Sequence, residues 1–401
     1  MTDIWSFHSA GRLLFGSGAV ERLGQEARAL GLRRIFLVTD ERLAAAGLLD
    51  AVRAPLVAAG IDVAVFDGGQ PEPSIDLAET CVAAARRHGP DGLLGLGGGS
   101  NMDLAKMAAL LLAHGGTAGD YIGDCRVPGP VAPLVCVPTT AGTGSEVTAS
   151  AVLTDTAQQI KVAVLSNHLR PRLAVIDPRL TLGCPRKVTA DSGIDALTHA
   201  IEAYTAVDNG AFPLAVGEQT VYQGSNPLAS AMAEHAISLV GLHLARCVKQ
   251  PDDLAAREGM ALAATLAGLA FSNSGVALVH AMEYPLGGAV HCSHGEGNGL
   301  LLPFVMRFNL PGRERQLARI AELLGEGIAK LDPAAAAERA IAAVERLKRE
   351  IGIPERLREL NVREDQLRGF AEKAAGIRRI LRVNPRPATA DDIEAIYRAA
   401  W

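Results

Sequence analysis

The chain predicts a doubly wound parallel α/β domain followed by an all-helical one. Short β-branched runs alternate with helical stretches up to about residue 185, and from about Lys187 the apolar periodicity is helical almost throughout. Between one run and the next helix lies a glycine-rich turn, GLGGGS (95–100). Strands separated by helices pair in parallel through right-handed crossovers, and nearly continuous apolar runs belong to strands covered on both faces. The expected domains are 1–185 and 186–401, each long enough for its own core.

In chain order, RRIFLVTD (33–40) is the first strand and ERLAAAGLLDAVRAPLVAAG (41–60) its helix. IDVAVFDGG (61–69) is the second, followed by a helix from about Asp76 to His88. DGLLGLGGG (91–99) leads into NMDLAKMAALLLAHG, and VAPLVCVPTT (131–140) and LAVIDP (173–178) complete the set. Beyond the boundary, 230–248 and 258–284 carry apolar residues at helical spacing, and His280 falls near the end of the second of these. Residues 206–227 are polar and turn-rich, a surface excursion, and 312–401 read as amphipathic helices.

Composition narrows the function class. A net charge of -5 gives no electrostatic footprint for nucleic acid, and no uninterrupted apolar run approaches the ~18 residues of a membrane span. The N-terminus lacks the charged-then-apolar pattern of a signal peptide. Six scattered cysteines without a C-x-x-C pair fit free thiols in a reducing cytoplasm. These traits are ordinary for a globular cytoplasmic protein.

GLGGGS is not the G-x-G-x-x-G dinucleotide fingerprint, yet glycines at a helix start let a pyrophosphate approach backbone N–H groups. PTTAGTGSEVT (138–148) adds hydroxyls and N–H groups after another strand. Asp40, ending a strand, suits either a ribose 2′-hydroxyl, favouring NAD over NADP, or the N-cap of the next helix. Lys161 reads as a cofactor contact or a solvated loop lysine.

Asp195 and His199 stand four apart in a strongly helical stretch and share one face, with Asp191 and Glu202 as further candidate carboxylates. Downstream, His280, His291 and His294 fall within fifteen residues of a chain holding ten histidines. A carboxylate and imidazoles gathered at a point form a divalent-metal ligand set. Spacing alone leaves the choice between His291 and His294 open.

GGGSNMDLAK, PTTAGTGSEVT, DPRLT, DALTHAIEAY, His280 with PLGG and SHG, and NPRPATADDIEAIYRAAW together resemble the iron-dependent (group III) alcohol dehydrogenase family. The resemblance runs from GRLLFGSGAVERLG to Trp401 and implies a Rossmann-like domain joined to a helical metal-binding domain, an architecture shared with dehydroquinate synthase. It implies that Asp195, His199, His280 and His294 hold Fe(II), with Zn(II) as the alternative. It further implies NAD contacts from Asp40, Gly97, Gly98, Gly99, Ser100, Asp103, Thr139, Thr140, Thr143, Val152, Lys161 and Leu180.

Many members carry a further histidine four residues after the third ligand, where this chain has Tyr284. A phenol titrating near ~10 shuttles protons less readily than imidazole at neutral pH. The implied reaction is NAD(H)-dependent hydride transfer between a small alcohol and its aldehyde or ketone, in a homodimer or larger homo-oligomer. A hydroxyacid–oxoacid transhydrogenase with retained nucleotide and a glycerol dehydrogenase-like enzyme are the alternatives. Arg378, Arg379 and Arg382 raise the expectation of an anionic substrate if one faces the pocket, and of solvated helix-end arginines otherwise.

Overall fold

The computed structural model describes residues 4–157, 160–215 and 217–401. By its own contacts the chain forms two compact units, one of residues 8–184 with 219–221, the other of 185–218 and 222–401 with the N-terminal seven residues. The change of unit falls between Cys184 and Pro185. Residues 219–221 return to the first unit because Thr220 Oγ1 and the Val221 N–H donate to the Asp124 carboxylate, a tie no pattern in 206–227 foretells.

The first unit contains strands β1 (Leu13–Phe15), β2 (Arg34–Val38), β3 (Asp62–Phe66), β4 (Gly92–Gly97), β5 (Gly123–Asp124), β6 (Leu134–Pro138), β7 (Ser150–Asp155), β8 (Ile160–Leu165) and β9 (Leu173–Ile176). Six of them make one sheet, order β1-β9-β6-β4-β2-β3, with every pairing parallel. Both faces are covered. Ile35 and Leu37 of β2 join one apolar cluster with Leu94, Leu96, Val135 and Val137, while Phe36 and Val38 join another with Leu93 and Cys136. The chain runs outward from β2 to β3, then recrosses to β4 on the other side. This reversal of strand order is where open α/β sheets bind ligands, beyond the carboxyl ends of the strands.

Sequence periodicity did not anticipate three features here. Edge strand β1 is only three residues long. Residues 150–155 and 160–165 form an antiparallel pair, β7 with β8, extended by β5 into a second sheet. The helix expected over 41–60 is two, Glu41–Ala45 and Leu48–Ala58, separated at Gly47 with φ 76°.

The second unit is helical among its described residues. Its helices Pro227–Lys249 and Leu254–Ser274 are long and apolar enough to cross a membrane, but most of the second is buried within the protein, as in an alanine-rich helical core. One expectation is corrected. The helical run 258–284 breaks at Gly275, where φ is 116°, so His280 lies in the first turn of a new helix, Leu278–Val290. HGEGNG (294–299) opens the helix His294–Asn309.

Candidate metal centre and nucleotide-binding end

Asp195 and His199 come from helix Arg186–Thr205, His280 from Leu278–Val290, and His294 from the first position of His294–Asn309. Asp195 Oδ1 lies 3.9 Å from His280 Nε2 and 4.0 Å from His294 Nε2, and the three donors lie within 4.8 Å of one another. His199 stands beside them. Its Nδ1 is 3.8 Å from Asp195 Oδ2, and its ring stacks on Phe271 and His280 at centroid distances of 4.1 and 4.7 Å. Asp195, His199 and His280 are buried, and His294 is partly open. Burial alone pushes the Asp195 carboxyl upward, but His199, His294, His280 and the Asn298 amide hold it below the usual carboxylate range.

Buried carboxylates orient the imidazoles. Glu202 accepts from His280 Nδ1 at 2.6 Å and from the N–H groups of Ala277 and Val279 at 2.7 and 2.6 Å. It therefore fixes the ring and satisfies the start of the helix that begins after Gly275. Glu283 accepts from His294 Nδ1. A carboxylate only accepts, so each Nδ1 carries the proton and each Nε2 presents a lone pair to the cluster.

The Asn298 amide nitrogen reports where those lone pairs converge. It donates to Asp195 Oδ1 at 2.8 Å and lies 3.2 Å from both His280 Nε2 and His294 Nε2. One NH₂ group, with its positive charge density on two hydrogens, thus approaches all three donors. The donor set of buried carboxylate and imidazole Nε2 atoms fits a divalent cation.

The glycines of HGEGNG make this approach available. A Cβ at Gly295 would sit 2.0 Å from the Asp191 carbonyl oxygen, and one at Gly299 2.7 Å from Ile194 Cγ2. At Gly297 it would meet Glu283 Cγ at 2.9 Å. Four residues apart, Gly295 and Gly299 flatten the helix face against Arg186–Thr205, bringing His294 and Asn298 within reach of Asp195. The neighbouring Asp191 serves the scaffold, paired to Lys187 at 2.6 Å and accepting from Ser293 Oγ at 2.5 Å.

His291 is not in the cluster. It is exposed and ends helix Leu278–Val290 in the left-handed region, φ 55°. The Tyr284 ring is 6.2 Å from that of His294, beside the cluster. Of the three arginines, Arg378 is exposed, Arg379 lies over the Tyr222 ring at 5.8 Å, and Arg382 pairs with Glu218 and lies over Phe212 at 5.1 Å. None of these contacts reaches the cluster.

At the sheet end, Gly98 caps helix Gly99–His114 directly after β4. A Cβ at Gly98 would be 3.5 Å from Thr140 Oγ1, and one at Gly99 2.9 Å from Thr143 Cγ2, so both threonines stand over the glycine turn. Gly97 has φ 141°, which excludes most side chains. Gly98, Gly99, Ser100, Thr140 and Thr143 are partly exposed, while Thr139 is buried. Asp40 Oδ1 accepts from the Arg42 and Leu43 N–H groups, the capping arrangement, and Oδ2 accepts from Asn101 Nδ2 at 2.7 Å.

Other implied contacts are engaged within the protein. Asp103 accepts from Ser145 Oγ at 2.6 Å and the Val152 N–H at 2.9 Å, and burial raises its carboxyl despite Lys106 nearby. Lys161 is a strand residue rather than a loop lysine, ion-paired with Glu72 at 2.8 Å. Leu180 is buried in the sheet core.

Glu283, Asn298 and Asn101 escaped the sequence reading, and Glu202 entered it only as a candidate ligand. The signals were present. Glu202 lies three residues after His199, Glu283 three after His280, and Asn298 four after His294, each within one helix. Which imidazole each carboxylate meets is set across helices, beyond the reach of local spacing.

A donor set of this kind, in a helical unit that follows a doubly wound sheet, defines a metal-dependent oxidoreductase of the alcohol dehydrogenase class. Residues 10–178 match the "Iron-containing alcohol dehydrogenase" family and 189–401 the "Fe-containing alcohol dehydrogenase family, C-terminal". The chain is 38% identical over 387 residues to the NAD-dependent methanol dehydrogenase of Bacillus methanolicus, covering 96% of this chain and 97% of that one. It is 40% identical over 389 residues to the 1,3-propanediol dehydrogenase of Klebsiella pneumoniae, covering 96% of each. The crystal structure of 1,3-propanediol oxidoreductase superposes with a TM-score of 0.93 at 38% identity, covering 99% of this chain and 100% of that one. The protein belongs to the iron-containing alcohol dehydrogenase family.

Proposed function

We propose that this enzyme interconverts a small alcohol and its aldehyde or ketone, using NAD(H) and a divalent metal bound by Asp195, His199, His280 and His294. The observation that carries the reading is the meeting of Asp195, His280 and His294 donors within 4.8 Å, with both Nε2 lone pairs turned inward by Glu202 and Glu283. When bound, the cation supplies Lewis acidity toward an alcohol or carbonyl oxygen, and NAD(H) takes or returns the hydride. The chain's own task is positioning. Glu202 and Glu283 hold the imidazole rings aimed, and helix packing through Gly295 and Gly299 keeps the donors together. In this reading Tyr284, its ring 6.2 Å from that of His294, serves as a hydrogen-bond donor toward the substrate.

For the nucleotide, backbone N–H groups of the Gly97–Ser100 turn and the hydroxyls of Thr139, Thr140 and Thr143 suit the pyrophosphate. Asp103 supports this end indirectly, holding the Val152 N–H, while Lys161 and Leu180 border it in the implied reading. The Asp40 carboxylate accepts from a ribose hydroxyl and repels a 2′-phosphate, which favours NAD over NADP. Fe(II) is the expected native metal from the family, whereas the ordinary affinity order favours Zn(II) where both compete. The enzyme is proposed to act in the cytoplasm, where its six free cysteines remain reduced, and to assemble as a homo-oligomer.

The test is metal analysis coupled to a screen of small alcohols and aldehydes, following NADH absorbance with NAD and NADP side by side. Metal-dependent turnover with NAD is expected after reconstitution with Fe(II) or Zn(II). Full turnover in preparations stripped of metal would sink the reading.

A further inference from the structure

A cavity of about 630 Å³ lies entirely within the helical unit, on the later turns of helix His294–Asn309. Its walls carry five basic side chains against three acidic ones, with Phe304, Phe308, Pro303 and Ile396 supplying apolar surface. That volume falls in the ~300–1,000 Å³ range of small-molecule pockets. None of the metal-site residues lines it.

Lys348 is the unusual member. It is 3% exposed, its Nζ donates to the Leu300 carbonyl at 3.3 Å, and it lies over the Phe304 ring at 5.6 Å. The acidic residues on the same wall already have partners, and Asp392 accepts from the Thr389 N–H and Oγ1. Glu345 faces Arg307 at 3.5 Å and Glu355 faces Arg349 at 3.6 Å. Buried charges ordinarily have an ionic partner. Two arginines flank this lysine. Arg356 lies over the Phe304 ring at 5.8 Å and donates to the Ala399 carbonyl, and Arg386 lies over Phe308 at 4.1 Å and donates to the Phe308 carbonyl. Each guanidinium is therefore fixed in place with further N–H donors remaining.

We propose that this groove is a binding site for an organic phosphate, its anionic group held by Lys348, Arg356 and Arg386 and its apolar body lying against Phe304 and Phe308. Guanidinium forks match phosphate oxygens better than a single carboxylate, and the rings provide flat apolar surface beside them. Burial pushes the Lys348 ammonium down to about 8, against the raising pull of Glu355, Glu345 and Glu359, so it is the charge an incoming anion most restores. The site is separate from the catalytic reading and stands whether or not that reading holds.

Calorimetric titration of the full-length protein with phenyl phosphate, inorganic phosphate and benzoate, with and without saturating NAD, tests the proposal. Phenyl phosphate is expected to bind one to one, about tenfold tighter than either of the others, and equally well with NAD present. Lys348→Met and Arg386→Ala are each expected to weaken it about tenfold or more. Displacement by NAD, affinity unchanged in both variants, equal binding of benzoate, or no binding of phenyl phosphate would each overturn it. Arg386 is exposed, so its variant tests the site even if Lys348→Met fails to fold.

Discussion

In the helical unit, carboxylate and imidazole side chains meet because glycines let three helices come close. In the sheet unit, the end of β4 offers backbone, opened by glycines that carry no side chain at all. Both regions use glycine, for different reasons. At Gly295 and Gly299 it removes a Cβ from between two packed helices, whereas at Gly97 it supplies a positive φ that other residues rarely adopt. The first region is buried and its geometry depends on partners that are themselves buried, such as Glu202 and Glu283. The second is partly exposed and depends mainly on local chain geometry. Damage to the two should therefore differ in kind, with loss of metal in one case and weaker nucleotide binding in the other.

The largest effect is expected from His280→Ala or His294→Ala. Each should lose bound metal and lower kcat by about 10³ or more, since Lewis-acid stabilisation contributes several kcal/mol. NAD binding, followed by NADH fluorescence, should persist. Parallel loss of NAD binding would break the contrast.

Glu202 comes next. Glu202→Gln keeps the size but weakens the anchor on His280, and metal affinity measured with a chelator series should fall about 10–100-fold. Glu202→Ala should also lower thermal stability, by about 2–4 kcal/mol, because the buried N–H groups of Ala277 and Val279 lose their acceptor. A variant with unchanged metal affinity would show that Glu202 serves only the helix start.

On the other side of the comparison, Gly99→Ala places a Cβ 2.9 Å from Thr143 Cγ2. The KM for NAD should rise several-fold, about 1 kcal/mol in binding, with metal content unchanged. Asp40→Ala removes the cap of helix Glu41–Ala45, a loss of about 1 kcal/mol in stability, and should narrow the preference for NAD over NADP. Altered metal content in either variant would mean the two regions are not independent.

Lys348 gives the most easily separated effect, confined to stability and its dependence on pH. Its ammonium is lowered to about 8 in the folded protein, against an ordinary value of 10.5, so the unfolded chain binds more protons between those values. Stability from this group is fully present above about 10.5 and is lost as pH falls through about 8. Lys348→Met should therefore melt higher than the parent at pH 7, with the gap shrinking as pH rises toward 10. A gap independent of pH would assign the change to packing alone.

The strands β2, β4, β6 and β9 were legible because their apolar runs are continuous and bounded by Gly, Pro and Asp. The second sheet was not, since the stretch TDTAQQIK (154–161) between the two runs carries no Gly, Pro or Asn to mark a turn. Asp195 with His199 was legible from four-residue spacing. His280 was found as a residue and misplaced in its helix, because the break at Gly275 is stabilised from a distance by Glu202. Local spacing could not separate His291 from His294. The fold separates them, making one an exposed helix end and bringing the other to Asp195.

By itself, the sequence determined which residues could bind a metal, where strands and helices alternate, and where glycine opens the backbone, since these follow from residue chemistry and short-range periodicity. Only the tertiary structure decided which carboxylates serve as anchors, which amide touches all three donors, and which imidazole joins them. Those choices rest on side chains some eighty to a hundred residues apart meeting in a buried space. There, an unpaired polar group costs more than any local propensity can offset, so the partners must be settled by packing.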